Sequence, residues 1–172
     1  MTLVLDATPL IYLGKAKSLD VLAKTDEKLV VPGRVYNEVV GDGMKQGYPD
    51  AKRINKRYRE GLFEQQTYEK GERFESLRAD TKLTPADTAT LLLADELNGT
   101  AVMDENHGRN IADIENIETR GTAYLLLSLV RDDKIPADEA RETIDEMVDA
   151  GWHCSHSLYS KVLRKLEELR SE

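Results

Sequence analysis

Three short apolar runs, each followed by a stretch of helical character, constrain this chain more than any other feature. Leu3-Val4-Leu5 leads into Asp6 and then Thr8-Pro9, which reads as a helix cap with proline at the first helical position. Leu29-Val30-Val31 leads into Pro32 and a helical stretch from Arg34 to Val40, expected to end near Gly41 and Gly43. Thr100-Ala101-Val102-Met103 reads as a buried strand ending at Asp104, with a short helix through Ile111 beyond it. Strands that alternate with helices imply a parallel sheet with right-handed crossovers.

The rest of the chain fits that scheme. Leu62 to Tyr68 reads as an edge strand, and Leu83 to Leu97 as the clearest helix, capped by Thr84, started by Pro85 and ended by Asn98-Gly99. A strand around Ile117-Glu118-Thr119 and a helix from Gly121 to Val130 follow. Beyond Pro136 only helical periodicity remains, in Ala140, Ile144, Met147 and Val148 and then in Leu158, Val162, Leu166 and Leu169; these helices are expected to cover the sheet or a partner subunit. At 172 residues with 40% hydrophobic content, and with no repeat or linker, the expectation is one domain over 1–172, with 136–172 as a C-terminal helical portion. The chain lacks an apolar run of about 18 residues and a signal-peptide start, and Cys154 is its only cysteine. A cytoplasmic protein without membrane attachment is therefore expected. The net charge of −8 argues against a generally basic nucleic-acid-coating surface and leaves room for a local cationic track.

Carboxylates mark the edge where such a sheet binds ligands. Asp6 and Asp104 close strands, and ligands of open parallel sheets sit outside the carboxyl ends of the strands. Glu38, on the helix after the second strand, and Asp87, in the first turn of the central helix, can reach the same edge. Each has a bland role available. Asp87 completes a capping box with Thr84, Glu38 lies on a solvated face beside Val35, Val39 and Val40, and strand-end aspartates serve turns and caps. Only the set is persuasive: like charges gathered together need raised pKa values, divalent cations or both. Hard oxygen donors favour Mg2+ or Mn2+, as one ion or two, for phosphodiester chemistry. Zinc is disfavoured, because His153-Cys154-Ser155-His156 is too close-packed to specify a four-ligand site. Asp6-Ala-Thr8 is not the Asp-x-Asp of haloacid-dehalogenase phosphotransferases, and no Gly-x-x-x-x-Gly-Lys loop occurs.

Taken in order, Leu5-Asp6-Ala7-Thr8, Val31 to Val39 with Glu38, Leu83-Thr84-Pro85-Ala86-Asp87, and Val102-Met103-Asp104 through Arg109 resemble the PIN-domain ribonucleases. Gly121-Thr122 and the segment from Gly151-Trp152 to Leu163 are similar to a prokaryotic PIN subfamily with Gly-Arg after the last acidic motif. The resemblance implies a three-layer α/β/α sandwich with a mainly parallel sheet. It implies Mg2+- or Mn2+-dependent cleavage of RNA to 5′-phosphate ends by an endoribonuclease, with Asp6, Glu38, Asp87 and Asp104 as metal-binding and catalytic residues. Thr8 matches a hydroxyl residue that supports the first aspartate, and Glu105 stands where the subfamily often has a second aspartate. By the same analogy the protein is the toxin of a toxin–antitoxin pair, held by a small antitoxin, and a homodimer. A PIN-like scaffold that binds RNA or protein without cleaving it is the alternative.

Five further readings concern supporting groups. Arg109 is placed to contact a phosphate or brace the carboxylates. Thr122, at a helix start, is placed to offer its hydroxyl and backbone N–H to a phosphate, although helix capping alone explains it as well. Lys52, Arg53, Lys56 and Arg57, with Arg59 and Tyr58, recur at helical spacing as an RNA-backbone track, although a solvated face explains them as well. His107 reads as a loop or capping residue, and Trp152 as an anchor of the tail to the core.

Overall fold

The structure, a computed structural model, describes residues 1–171. Five parallel strands form one sheet in the order β3-β2-β1-β4-β5: β1 Thr2–Leu5, β2 Lys28–Pro32, β3 Glu64–Gln66, β4 Thr100–Val102 and β5 Thr119–Arg120. Register aligns Leu5 with Val102 and Val102 with Arg120, so β1, β4 and β5 end side by side. Side chains alternate across the sheet as the pleat requires. Leu3, Leu5, Leu29, Val31 and Val102 enter one core, and Val4, Val30, Ala101 and Met103 enter the other. Both faces are covered, which is why these strands read as continuous apolar runs.

Helices complete three layers. On the first face lie α1 (Ala7–Lys15), α4 (Pro49–Arg59), α8 (Thr122–Arg131), α9 (Ala137–Asp149) and α10 (His156–Arg170). On the second lie α5 (Glu72–Thr81), α6 (Pro85–Glu96) and α7 (Asn106–Ile114). The C-terminal helices share the first core: Ile144, Met147, Val162 and Leu166 are buried together with Leu10, Leu13 and Leu126. No helix among the described residues is long and apolar enough to cross a membrane.

Several elements depart from the expectations above. The helix after β2 does not stop near Gly41 and Gly43. It continues as α2 (Gly33–Tyr36), a π-helical turn (Asn37–Asp42) and α3 (Gly43–Lys45), and turns at Gly47, whose φ is +76°. Gly43 is a contact residue instead of a stop: a Cβ there would stand 2.8 Å from the Cβ of Ala51, so glycine lets α3 approach α4. The first helix starts at Ala7 with Asp6 at its N-cap, placing Thr8-Pro9 in the first turn. Helix α5 and a 3-10 segment at Leu19–Lys24 went unread, because α5 buries only Phe74 and Leu77 among charged residues. Val148 and Leu158, counted on apolar faces, are 37% and 39% exposed.

Candidate active site

Asp6 is delivered to the sheet edge by β1, and its N–H donates to the carbonyl of Val102 (3.0 Å), tying it to the end of β4. Only 6% of it is exposed. Burial first, and then the charge of Asp87, push its pKa up to about 7; the charge of Glu38 and a hydrogen bond to the Asp87 carboxyl raise it further, against the Ala7 N–H, which lowers it. Asp87 is held in the first turn of α6, where its N–H donates to Thr84 Oγ1 at 3.1 Å. The cap and the carboxylate's position in the cluster are compatible, since the cap uses the backbone of Asp87.

Glu38 approaches from the π-helical turn and is exposed at the cleft mouth. Its pKa is raised by partial desolvation, then by Asp87 and Asp42. Thr8 and Glu38 line a common cavity of about 940 Å³ with Asp42, Asp50 and Arg53. Asp42 was not foreseen, and only its position one helical turn from Glu38 could have signalled it.

Asp104 belongs to a different set of contacts. Its Oδ1 accepts the Thr122 N–H at 2.8 Å, and its Oδ2 accepts the Thr122 hydroxyl at 2.8 Å and the Trp152 indole N–H at 3.1 Å. Thr122 is fully buried at the start of α8, so its donors, read from sequence as a phosphate site, are spent on Asp104. The helix N-terminus favours that anion. Gly121 makes the approach feasible: a Cβ there would stand 3.3 Å from both Asp104 Oδ1 and Arg109 Nη1. Trp152, 4% exposed, does anchor the tail, but its polar end reaches Asp104, a role the sequence reading missed. Burial, followed by the charge of Asp104, raises the pKa of the Cys154 thiol.

The remaining candidates divide. Glu105 is exposed at the N-cap of α7, and half-buried Arg109 faces Gly121 beside Asp104. His107 Nε2 lies 2.7 Å from the Thr81 carbonyl, where the protonated nitrogen caps the end of α5. On α4, Arg53 donates to the Gly14 carbonyl (2.9 Å) and Arg57 pairs with Asp20 (2.8 Å), leaving Lys52, Lys56 and Arg59 as the exposed members of the expected track.

A family model described as PIN domain matches residues 2–168. The chain belongs to the PIN-domain family. PAE2754 from Pyrobaculum aerophilum shares the fold at a TM-score of 0.56 and 18% identity, covering 75% of this chain and 95% of that one. VapBC-1 from nontypeable Haemophilus influenzae matches at a TM-score of 0.50 and 14% identity, covering 71% of this chain and 98% of that one. No curated protein matches the chain. PIN domains are generally nucleases that use divalent metal ions. The donor set fits such an ion: Asp6, Asp87 and Glu38 offer only oxygen, and the charge of Asp87 raises the pKa of both Asp6 and Glu38, a repulsion that a cation would relieve. Among the described residues, no group of three His, Cys, Asp or Glu side chains is arranged to hold a metal ion.

Proposed function

We propose that this PIN domain is a Mg2+- or Mn2+-dependent endoribonuclease. The observation that carries the reading is Asp6, a nearly buried carboxyl whose pKa is lifted to about 7 by its surroundings and by two neighbouring acids. A protein that tolerates this repulsion at a ligand-binding sheet edge has the makings of a cation site. Asp6 and Asp87 would hold the ion, Glu38 would close on it from the cleft mouth, and Asp104 would stand fixed by Thr122 and Trp152 to complete the acidic edge. The ion would supply Lewis-acid polarisation of the phosphodiester. Arg109, beside Asp104, would meet phosphate charge.

Cleavage of labelled RNA with Mn2+ tests this directly. Wild type cleaves, whereas Asp6→Asn and Asp104→Asn each lose activity by about 100-fold or more, the scale expected when a site that stabilises developing charge is disabled. Activity unchanged in both variants removes the proposal. The scaffold reading has one observation in its favour, the absence of three converging ligands among the described residues. Tight Mn2+ binding without turnover on a broad RNA panel would select it.

The toxin reading, with a small antitoxin as partner, is supported by family membership; VapBC-1 shares the fold alone. A short upstream reading frame whose product abolishes cleavage would bear it out, in a cytoplasmic setting. A homodimer belongs to the same reading by analogy, and sedimentation at several concentrations checks it.

A further inference from the structure

A groove between α8 and α10 stands apart from the Asp6 cluster. It is a cavity of about 760 Å³ that opens at Asp104 and is lined by Arg109, Arg120, Lys161 and Lys165. Asp104 is the one acidic residue in that lining, on a protein whose sequence carries a net charge of −8. Positive charge is therefore concentrated at the mouth of the acidic edge, against the trend of the molecule, and a concave surface focuses such a field. Arg120 also meets Glu27 at 3.3 Å and Lys165 meets Glu168 at 3.2 Å. The second pair is exposed and weak, and an incoming anion can displace it. Lys161 and Arg109 enter no ion pair among the described residues.

The spacing suits a polyanion. Lys161 and Lys165 lie one turn apart on a single face of α10, about 6 Å along the axis. Tyr124 is 49% exposed at the groove wall, with the Arg120 guanidinium 5.3 Å from its ring centroid. An exposed ring beside a cationic track is the pairing that single-stranded nucleic acids use, bases stacking while phosphates follow the charges. The rival surface is α4, where Arg53 and Arg57 are committed to Gly14 and Asp20 and the exposed cations are Lys52, Lys56 and Arg59.

We propose that the α8–α10 groove carries the phosphodiester backbone of single-stranded RNA to the Asp104 edge. This rests on the ribonuclease reading for its ligand class. Lys161 and Lys165 neutralise phosphates, Tyr124, with Arg120 against its ring, stacks a base, and Arg109 receives the strand where the groove meets the carboxylates.

Binding of a fluorescein-labelled single-stranded RNA to the Asp6→Asn protein, measured by anisotropy over a salt series, separates track from chemistry. Lys161→Glu with Lys165→Glu is compared with Lys52→Glu and Lys56→Glu; all four lysines are exposed, and thermal unfolding verifies the folds. The groove pair weakens binding by about tenfold or more and lowers the log–log salt slope by about 1.4, two contacts at roughly 0.7 each, while the α4 pair stays within about twofold. Equal losses in both pairs, a loss confined to α4, or no loss in either overturns the track. So does a labelled polyglutamate peptide that outcompetes the RNA and loses binding in the groove pair, which reassigns the groove to an acidic protein segment. With Asp6 restored, cleavage by the groove pair at the wild-type KM overturns the track and leaves the ribonuclease reading intact. Groove-dependent binding with no cleavage by wild type upholds the track and removes the ribonuclease reading.

Discussion

Asp6 is the residue on which the proposed chemistry turns, and its protonation gives opposite signs for stability and for metal affinity. An ordinary aspartate loses its proton near 3.8, whereas Asp6 holds its proton up to about 7, so between those values the folded protein binds more protons than the unfolded chain. Metal-free stability is then greatest at the acid end of that window and declines as pH rises from about 4 to about 7. Asp6→Asn removes the decline: its Tm should exceed that of wild type at pH 8 and converge with it at pH 4, by calorimetry without metal. A divalent ion must displace the same proton, so Mn2+ affinity should rise about tenfold per pH unit up to about pH 7 and then level off, read by titration calorimetry. Trp152 acts through Asp104. Trp152→Phe keeps much of the packing but removes a hydrogen bond to a carboxylate, a loss of about 1.5–3 kcal/mol, which lowers Tm on the order of 5 °C. A positioning role also requires weaker Mn2+ binding in that variant, whereas a purely structural one leaves affinity unchanged.

Elements decide where these side chains point, and two glycines show how differently one residue type is used. At Gly99, between α6 and β4, a Cβ would lie 2.4 Å from the Thr2 carbonyl oxygen on the neighbouring central strand. Gly99→Ala must push β4 from β1 and should cost about 1–3 kcal/mol or more. Gly41 lies inside a helical turn, and a Cβ there meets nothing nearer than Asn37 Cβ at 4.0 Å. Gly41→Ala should stabilise by about 0.5–1 kcal/mol. Urea unfolding of the two variants checks both signs. The glycines at 41 and 43 read as a helix stop in the sequence because the close packing of Gly43 against Ala51 is a tertiary fact. The same limit hid α5, whose two buried residues, Phe74 and Leu77, make a one-turn apolar stripe too small to register as a period.

At the scale of the molecule, the C-terminal helices and the acidic edge form one structure. Trp152 reaches Asp104, while Val162 and Leu166 of α10 are buried in the core that also holds Leu3 and Leu5 of β1. A chain ending at residue 150 would lose all three buried anchors, each worth about 2–5 kcal/mol, against a total stability of about 5–15 kcal/mol. It should show no cooperative thermal transition; retention of one would mean that the helical portion is an independent appendage.

Local patterning determined the strands, the capped helix at Thr84-Pro85 and the acids that close β1 and β4, because short apolar runs, caps and strand ends are properties of neighbouring residues. It could not determine how the acids divide. Asp6 and Asp104 looked equivalent as strand ends. Only the packed structure sets Asp6 against Asp87 and Glu38, and hands Asp104 to Thr122 and Trp152, residues 18 and 48 positions further along the chain. Electrostatic coupling and hydrogen bonding depend on distance in space, and long-range packing alone brings those groups together.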